Sequence, residues 1–235
     1  MTNPRLLLGA VLALVACDPE LELEPEPPPD SLIAARIHYA LASDWEEAEL
    51  VDGARVFTTD LGYTVGLTSW WQSTTNLELV ACPEDEEFRH AGHTHDVSQL
   101  VLQVIENLVD GQTTLVGEAE GGELPYCNLY QIMGTVPLDG VEITSRVAGW
   151  YRAPGAAEAV SFDAVNTVPV SVLPEFTIGA WDETLDVDEA RVELVRYPAR
   201  AFDGLMLETL SDLDLAFSAS QALGWDAEVH WALAR

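Results

Sequence analysis

The sequence predicts an all-β protein, most simply an antiparallel β-sandwich, with one or two short helices. The first observation is that apolar and polar residues alternate with a period of two in many short stretches. The second is that Gly, Pro, Asn and Asp separate those stretches at short intervals. Many short strands joined by turns are typical of antiparallel sandwiches and barrels, whereas parallel strands need longer crossover connections.

The predicted strands are spread along the chain after the acidic, proline-rich stretch near its start. Two of the clearest are LIAARIHYALA and VEITSRVAGWYR, the second of which alternates from Val141 to Arg152. The others, in chain order, are RVFTTD, YTVGLTSW, NLELVAC, YCNLYQIMG, AVSFDAV, ARVELVRY, LDLAFSAS and AEVHWALA.

Two segments are ambiguous between helix and strand. In DVSQLVLQVIENLVDG, which includes residues 97–109, the apolar residues have helical spacing, and Asp96 and Gly111 are suited to begin and end a helix. A pair of buried strands is the alternative, because periodicity does not distinguish the two in so short a run. Residues 202–213 are similarly ambiguous and fit one or two helical turns.

The first sixteen residues have the layout of a bacterial export signal. Arg5 precedes an apolar stretch, residues 6–16, that is too short to span a bilayer comfortably. The ending LVAC, residues 14–17, resembles the lipobox of bacterial lipoproteins, which implies cleavage before Cys17 and attachment of lipid to that residue. The alternative is an ordinary signal peptide cut elsewhere, with Cys17 a free thiol. We expect a protein of the periplasm or cell surface, anchored by lipid to a bacterial membrane.

The rest of the chain divides into a tether and one domain. Residues 17–30 combine prolines and carboxylates with almost no side chains to bury, which predicts an extended, solvated tether. Residues 31–235 have a length that is normal for a single β-sandwich domain. The sequence contains no second run of eighteen apolar residues.

The chain is strongly acidic. Its formal net charge is −30, and all ten of its basic residues are arginine. Such a surface repels phosphate groups, which argues against nucleic acids or anionic lipid headgroups as partners, and it attracts cations. The simpler interpretation is that the acidity only keeps an exported protein soluble.

The cysteines agree with export. Once Cys17 carries lipid, Cys82 and Cys127 remain as an even pair in a compartment that permits disulfides. A bridge between them would remove about 4 kcal/mol of chain entropy from the unfolded state. The alternatives are two free thiols, or a Cys and His metal site at Cys82, although no CxxC spacing supports the latter.

Three of the five histidines lie within six positions, in the stretch FRHAGHTHDVS. We predict that His90, His93 and His95, with Asp96, bind a transition-metal ion, because imidazole and carboxylate groups are common ligands of such ions. Copper is the first expectation, since Cu(II) leads the Irving–Williams order, and zinc is the second. The alternative is a solvated polar loop without a function, because the spacing matches no defined metal motif.

The other two histidines and a pair of tryptophans are weaker candidates. His38 and His230 fall on the first and last predicted strands, and a second site between them is possible if those strands are neighbours. Ordinary half-exposed sheet positions are the alternative for both. Trp70 and Trp71 are adjacent, so a strand directs one ring to each face, and at least one of them is expected at a surface.

Two longer stretches carry a family resemblance. TTLVGEAEGGELPYCNLYQIMG looks like the turn, tyrosine and strand pattern of secreted prealbumin-like modules. Together with DGARVFTTDLGYTVGLTSWWQSTTNLELVAC it resembles the MbnP-like lipoproteins, a periplasmic copper-handling group, over residues 50–135. The resemblance implies a prealbumin-like or Ig-like β-sandwich that binds copper through histidines. In some members an oxidised tryptophan takes part, and no tryptophan lies beside the three clustered histidines here.

The sequence contains no G-x-S-x-G, HExxH, P-loop or G-x-G-x-x-G motif, so we expect a protein that is not an enzyme. The predicted function is that of a lipid-anchored, extracytoplasmic metal-binding protein, with an envelope protein or a metal-delivery partner. The alternative is a cell-envelope interaction module that recognises a protein or glycan through sheet-surface aromatics such as Trp70 or Trp71.

Overall fold

The computed structural model describes residues 36–46, 48–81, 98–121, 126–174, 176–178 and 189–232. Within these residues the secondary structure is mainly β, with one α-helix and three short 3-10 turns. The predicted all-β, sandwich-like fold is therefore confirmed.

The strands and the helix follow one another in this order: β1 (Arg36–Ser43), β2 (Glu49–Val51), β3 (Ala54–Thr58), β4 (Thr64–Ala81), β5 (Leu100–Asn107), β6 (Thr114–Glu120), β7 (Tyr126–Met133), β8 (Val136–Leu138), β9 (Val141–Ile143), β10 (Ser145–Arg152), β11 (Val160–Asn166), β12 (Val170–Val172), β13 (Phe176–Ile178), β14 (Glu189–Tyr197), α1 (Asp212–Ala222) and β15 (Gly224–Ala232).

The strands form two main sheets. One has five strands in the order β13-β15-β14-β1-β6. The other has eight and is organised around the long strand β4: its first half pairs with β3 and β10, and its second half pairs with β5 and β7. β2 and β11 continue that sheet beside β3 and β10, and β12 pairs with β7. Most pairs are antiparallel as predicted, whereas β1 with β14 and β13 with β15 are parallel.

Two apolar clusters lie in the interior. One joins the two sheets, because Ile37, Tyr39 and Leu194 of the five-stranded sheet pack with Leu77 and Leu129 of the other. The second cluster lies under the first half of β4 and under α1. It contains six buried aromatic side chains, which are Trp45, Phe57, Tyr63, Trp70, Tyr151 and Phe202. The inward positions of β4 therefore serve both clusters.

The stretch LDLAFSAS, predicted as a strand, is part of helix α1, so that prediction is wrong. The chain enters the helix through Ser211, whose hydroxyl oxygen accepts a hydrogen bond from the N–H of Asp214 at 3.2 Å. Leu215 and Ala219, four residues apart, then face the apolar cluster together. Tertiary packing on a helical face decides the conformation, although the apolar residues also alternate in sequence.

Of the ambiguous residues 97–109, those that the structure describes are mainly strand. Leu100–Asn107 forms β5 beside β4, and only Leu108–Asp110 turns, as a 3-10 segment that ends at Gly111 with φ of 63°. Two hydrogen bonds fix that turn: Trp45 Nε1 donates to the carbonyl of Leu108 at 2.8 Å, and Arg55 Nε donates to that of Val109 at 3.1 Å. The other ambiguous region contains two 3-10 turns, Arg200–Phe202 and Leu207–Thr209, followed by α1.

Candidate functional site

The residues predicted to bind metal, lipid or a disulfide partner lie largely outside the part of the chain that the structure describes. Those outside it are His90, His93, His95 and Asp96, together with Cys17 and Cys82. The described residues do establish where the histidine-bearing segment 82–97 begins and ends.

Both ends of that segment are fixed to the same part of β4. The segment follows Ala81, the last residue of β4, and the described chain resumes at Ser98. Ser98 is fully buried, and its hydroxyl accepts from the N–H of Leu79 at 3.2 Å and donates to the carbonyl of Leu79 at 3.3 Å. Tyr39 from the other sheet donates its hydroxyl to the carbonyl of Ser98 at 2.8 Å. The described residues on the two sides of residues 82–97 therefore lie beside the same end of β4.

Polar side chains around this strand end are buried or half-buried. Gln99 Nε2 donates to Asn76 Oδ1 at 2.9 Å, and Glu78 is completely buried on β4. Burial raises the pKa of Tyr39 far above its usual value, so this phenol stays protonated and keeps donating to Ser98. The base of the segment is a fixed, polar structure.

Cys127 lies on β7 opposite the end of β4. The register pairs Val80 with Asn128 and then Ala81 with Tyr126, so that Cys127 is the extra residue of a bulge at this point. Cys82 follows Ala81 directly in the chain. The predicted pairing of the two cysteines stays a prediction, because Cys82 is outside the described residues.

Residues 36–46, 48–81, 98–121, 126–174, 176–178 and 189–232 contain no group of three or more His, Cys, Asp and Glu residues that is placed to hold a metal ion. None of the helices in these ranges is long and apolar enough to cross a membrane.

His38 and His230 are placed in one row of the five-stranded sheet but not on adjacent strands. β14 lies between β1 and β15, and Arg191 occupies the register position between the two histidines. The first and last strands are therefore not neighbours, which was the condition for a second site, and the histidine backbones are about 10 Å apart, two strand spacings. His38 Nδ1 instead lies 3.2 Å from Oε1 of Glu118 on β6. This arrangement does not favour a shared metal ion.

The two adjacent tryptophans do face opposite sides of β4, as predicted. Trp70 is completely buried, and its Nε1 donates to Ser145 Oγ at 3.1 Å, so it does not form a recognition surface. Trp71 is half-buried on the outward face and pairs in register with Arg146 of β10.

A second tryptophan on the outward face was not predicted. Trp150 of β10 lies directly over Gly66 of β4, its register partner. A Cβ atom at Gly66 would lie only 2.5 Å from Cζ2 and 2.6 Å from Nε1 of the indole. The absent side chain therefore lets the ring lie against the strand, and Trp150 and Trp71 form part of one sheet face.

The interior also contains a polar layer, which we define as Gln72, Thr74, Glu106, Gln131 and Arg196. Arg196 of β14 is completely buried, and its Nη1 lies 2.8 Å from Oε2 of Glu106 on β5, so that the ion pair joins the two sheets. Gln131 Nε2 donates to Thr74 Oγ1 at 2.7 Å. Arg196 Nη2 and Gln131 Oε1 are buried without a hydrogen-bond partner among the described residues.

One surface cleft, with a volume of about 580 Å³, lies beside the turn that contains Arg200. Arg200 forms an ion pair with Glu46, and Asp203 Oδ1 accepts from the N–H of Asp60 at 3.0 Å. Glu49 also lines the cleft and is exposed. The charged lining therefore consists of three carboxylates and one guanidinium, with no further feature that selects a ligand.

Comparisons with known proteins add little to this geometry. No protein-family model matches the chain. No curated protein matches its sequence. Among solved structures, the chain is similar to MbnP from Methylosinus trichosporium, with 14% sequence identity, 68% of this chain and 75% of that chain covered, and a TM-score of 0.30. A similarity of this size does not establish a shared site.

Sequence reasoning missed the polar layer and Trp150. A signal for the layer was present, because Gln72 and Thr74 continue the inward positions of Trp70 two and four residues further along β4. Polar residues on the inward face of a long strand indicate an internal network. Nothing local indicated that Arg196 and Glu106, 90 residues apart, would meet.

Proposed function

We propose that this protein is a non-enzymatic, extracytoplasmic lipoprotein that binds a transition-metal ion through residues 82–97. His90, His93 and His95 are the proposed nitrogen ligands, and Asp96 is the proposed oxygen ligand. Copper is the first candidate and zinc the second, since Cu(II) binds most strongly to nitrogen and oxygen donors. Cys17 is the proposed site of lipid attachment.

The observation that carries this proposal is the closure of the histidine-bearing segment on β4. Ala81 is held by its register with Tyr126, and Ser98 by its two hydrogen bonds to Leu79. The sheet therefore holds the described residues on both sides of this segment in place without a metal ion, which lowers the entropy cost of bringing its ligands together.

The position of Cys127 supports the proposed disulfide. Cys127 lies in the bulge opposite Ala81, and Cys82 is the next residue along the chain from Ala81. A disulfide requires Cα atoms about 4.4–6.8 Å apart, a separation typical of neighbouring strands. The bridge would hold the start of the histidine-bearing segment to β7.

The acidity of the chain is consistent with a metal cation as the ligand. A net charge of −30 raises the local concentration of metal ions, while neutral imidazoles supply the coordinate bonds. Protons compete for the same nitrogens, so we expect metal affinity to fall as the pH drops through the ordinary histidine pKa of about 6.5.

The test is a metal titration of protein purified after expression of the full chain. Three proteins are compared: the native chain, the triple variant His90→Ala, His93→Ala and His95→Ala, and the control His38→Ala. The control removes a histidine that is paired with Glu118 on the five-stranded sheet. Cu(II) and Zn(II) are added in the presence of free imidazole, which suppresses the weak binding shown by any exposed histidine.

The proposal requires stoichiometric binding of one metal ion by the native chain and by His38→Ala, with loss of that binding in the triple variant. Equal and weak uptake by all three proteins would refute it. Mass spectrometry of the membrane fraction tests the anchor separately, since an unmodified, soluble N-terminus is incompatible with lipid on Cys17.

A second candidate function is recognition of an envelope glycan or protein through an aromatic sheet face. The observation that favours it is the ring of Trp150, which lies against Gly66 on the outward face that also contains Trp71. Flat aromatic rings on a rigid sheet are suited to stacking and interface contacts. Loss of glycan or partner binding in Trp150→Ala and Trp71→Ala, with metal binding intact, would favour this function.

A further inference from the structure

We propose that the free edge of β5 pairs with β5 of a second copy of the chain, which makes the protein a two-fold symmetric dimer through a continuous sheet. The proposal is independent of metal binding. It starts from the position of β5 in the fold: among the described residues this strand hydrogen-bonds to β4 on one side and to no strand on the other. An eight-residue unpaired edge presents backbone N–H and C=O groups that favour another strand.

β5 has little of the usual protection of an edge strand, and the exception is a register shift in its pairing with β4 between Val101 and Val104. Natural edges carry charges, prolines or bulges that prevent pairing with other chains. β5 has the sequence LVLQVIEN, with no proline and a single ionisable residue, Glu106. The carboxylate of Glu106 is directed into the sandwich, where it binds Arg196. Val101 is 74% exposed beside this edge.

The other long edge at this side of the sandwich is protected. β6 pairs with β1 alone among the described residues, and it carries Glu118 and Glu120 at exposed positions. Two copies that approached through β6 would place carboxylates together, which is unfavourable between directly opposed residues. In a chain with a net charge of −30, β5 is a long edge whose single carboxylate is directed into the sandwich.

The sequence of β5 is self-complementary, so the strand that fits its outer edge is β5 of a second copy of the chain. An antiparallel pair with its two-fold axis at Gln103 places Val101 opposite Ile105 of the other copy and Leu102 opposite Val104. The two Gln103 side chains face each other and can exchange amide hydrogen bonds. Every opposed pair from position 101 to 105 is therefore apolar with apolar, or amide with amide.

The net charge of the chain predicts how the affinity of the dimer changes with salt concentration. Two chains of −30 repel each other at long range, and salt screens this repulsion beyond a Debye length of about 10 Å at 0.1 M. Backbone pairing at the edge is local and is screened little. We therefore expect the dimer to become tighter as the salt concentration rises, the opposite of an association held by ion pairs.

Sedimentation velocity tests the proposal with protein expressed as the full chain and kept in a metal chelator, so that bridging by metal ions is excluded. The test variant is Gln103→Glu, which opposes two carboxylates at the axis. The matched control is Gln112→Glu, which makes the same charge change at an exposed loop position. Like charges opposed at an interface cost several kcal/mol, so we expect Gln103→Glu to raise the dimer dissociation constant on the order of tenfold or more.

Crosslinking reports the register directly. Opposed residues of an antiparallel pair have Cα atoms about 4.5–5.5 Å apart, which suits a disulfide. Gln103→Cys should therefore form a reducible dimer on oxidation, and Gln112→Cys should not. A native chain that stays monomeric at every protein and salt concentration would overturn the proposal, as would equal association of the native chain, Gln103→Glu and Gln112→Glu.

Discussion

Glu106 and Arg196 form an ion pair between the two sheets, with 2.8 Å between Oε2 and Nη1. Arg196 is completely buried, and its Nε donates to the carbonyl of Ala42 at 3.0 Å. A buried guanidinium is costly without its counter-charge. This pair therefore fixes how β5 of one sheet lies against β14 of the other.

Removal of the carboxylate should strongly destabilise the fold. Glu106→Gln leaves the buried guanidinium of Arg196 without a charged partner, and breaking a buried pair in this way costs about 3–5 kcal/mol. The control is Asp163→Asn, which breaks the exposed pair of Arg146 with Asp163 and should cost at most about 1 kcal/mol. Urea denaturation measures the free energy of unfolding of both variants. Similar midpoints for the two variants would show that the interior pair does not stabilise the sandwich.

Gly66 should not tolerate a methyl group while Trp150 is present. Gly66→Ala places Cβ within 2.5 Å of the indole Cζ2, and overpacking of this kind costs about 1–3 kcal/mol. In a Trp150→Ala background the clash is absent, and alanine is there the better residue for a strand interior. We expect Gly66→Ala to lower the thermal unfolding temperature in the native background but not in the Trp150→Ala background. An equal loss in both backgrounds would mean that the strand itself requires glycine.

The stability of the fold should depend on pH at alkaline values through Tyr63. The hydrogen bond to the Glu208 carboxylate raises the pKa of Tyr63 to about 12 from an ordinary 10.0. Because the folded-state pKa is the higher one, the stabilisation is complete below pH 10 and is lost as the pH rises from about 10 to about 12. Urea denaturation across this range checks the prediction. Tyr63→Phe should flatten the pH dependence there, and an unchanged slope would contradict the assignment.

The all-β class was predictable because sheet periodicity is a local property of the sequence. RVFTTD, YCNLYQIMG and ARVELVRY all became strands, since their alternation matches one buried face. Helix α1 was not predictable in this way, because Leu213, Leu215 and Phe217 alternate as in a strand while Leu215 and Ala219 fit a helix. Packing against the apolar cluster, which the sequence does not state, decides between them.

The parts of the site that depend on tertiary contacts were predictable only in outline. Adjacent tryptophans on a strand must face opposite sides, but which of Trp70 and Trp71 is buried depends on the face of β4 that α1 and the turn containing Phe202 cover. The separation of His38 from His230 depends on strand order, and a parallel strand inserted between them is a long-range feature. Local spacing fixes neither property.

The most direct test of metal binding by residues 82–97 is electron paramagnetic resonance of the full-length protein loaded with one equivalent of Cu(II). Metal binding by these residues predicts a single copper species with hyperfine coupling to several imidazole nitrogens, present also in His38→Ala and absent from the triple variant of His90, His93 and His95. A spectrum of free or carboxylate-bound copper in the native chain, unchanged by the triple substitution, would contradict it.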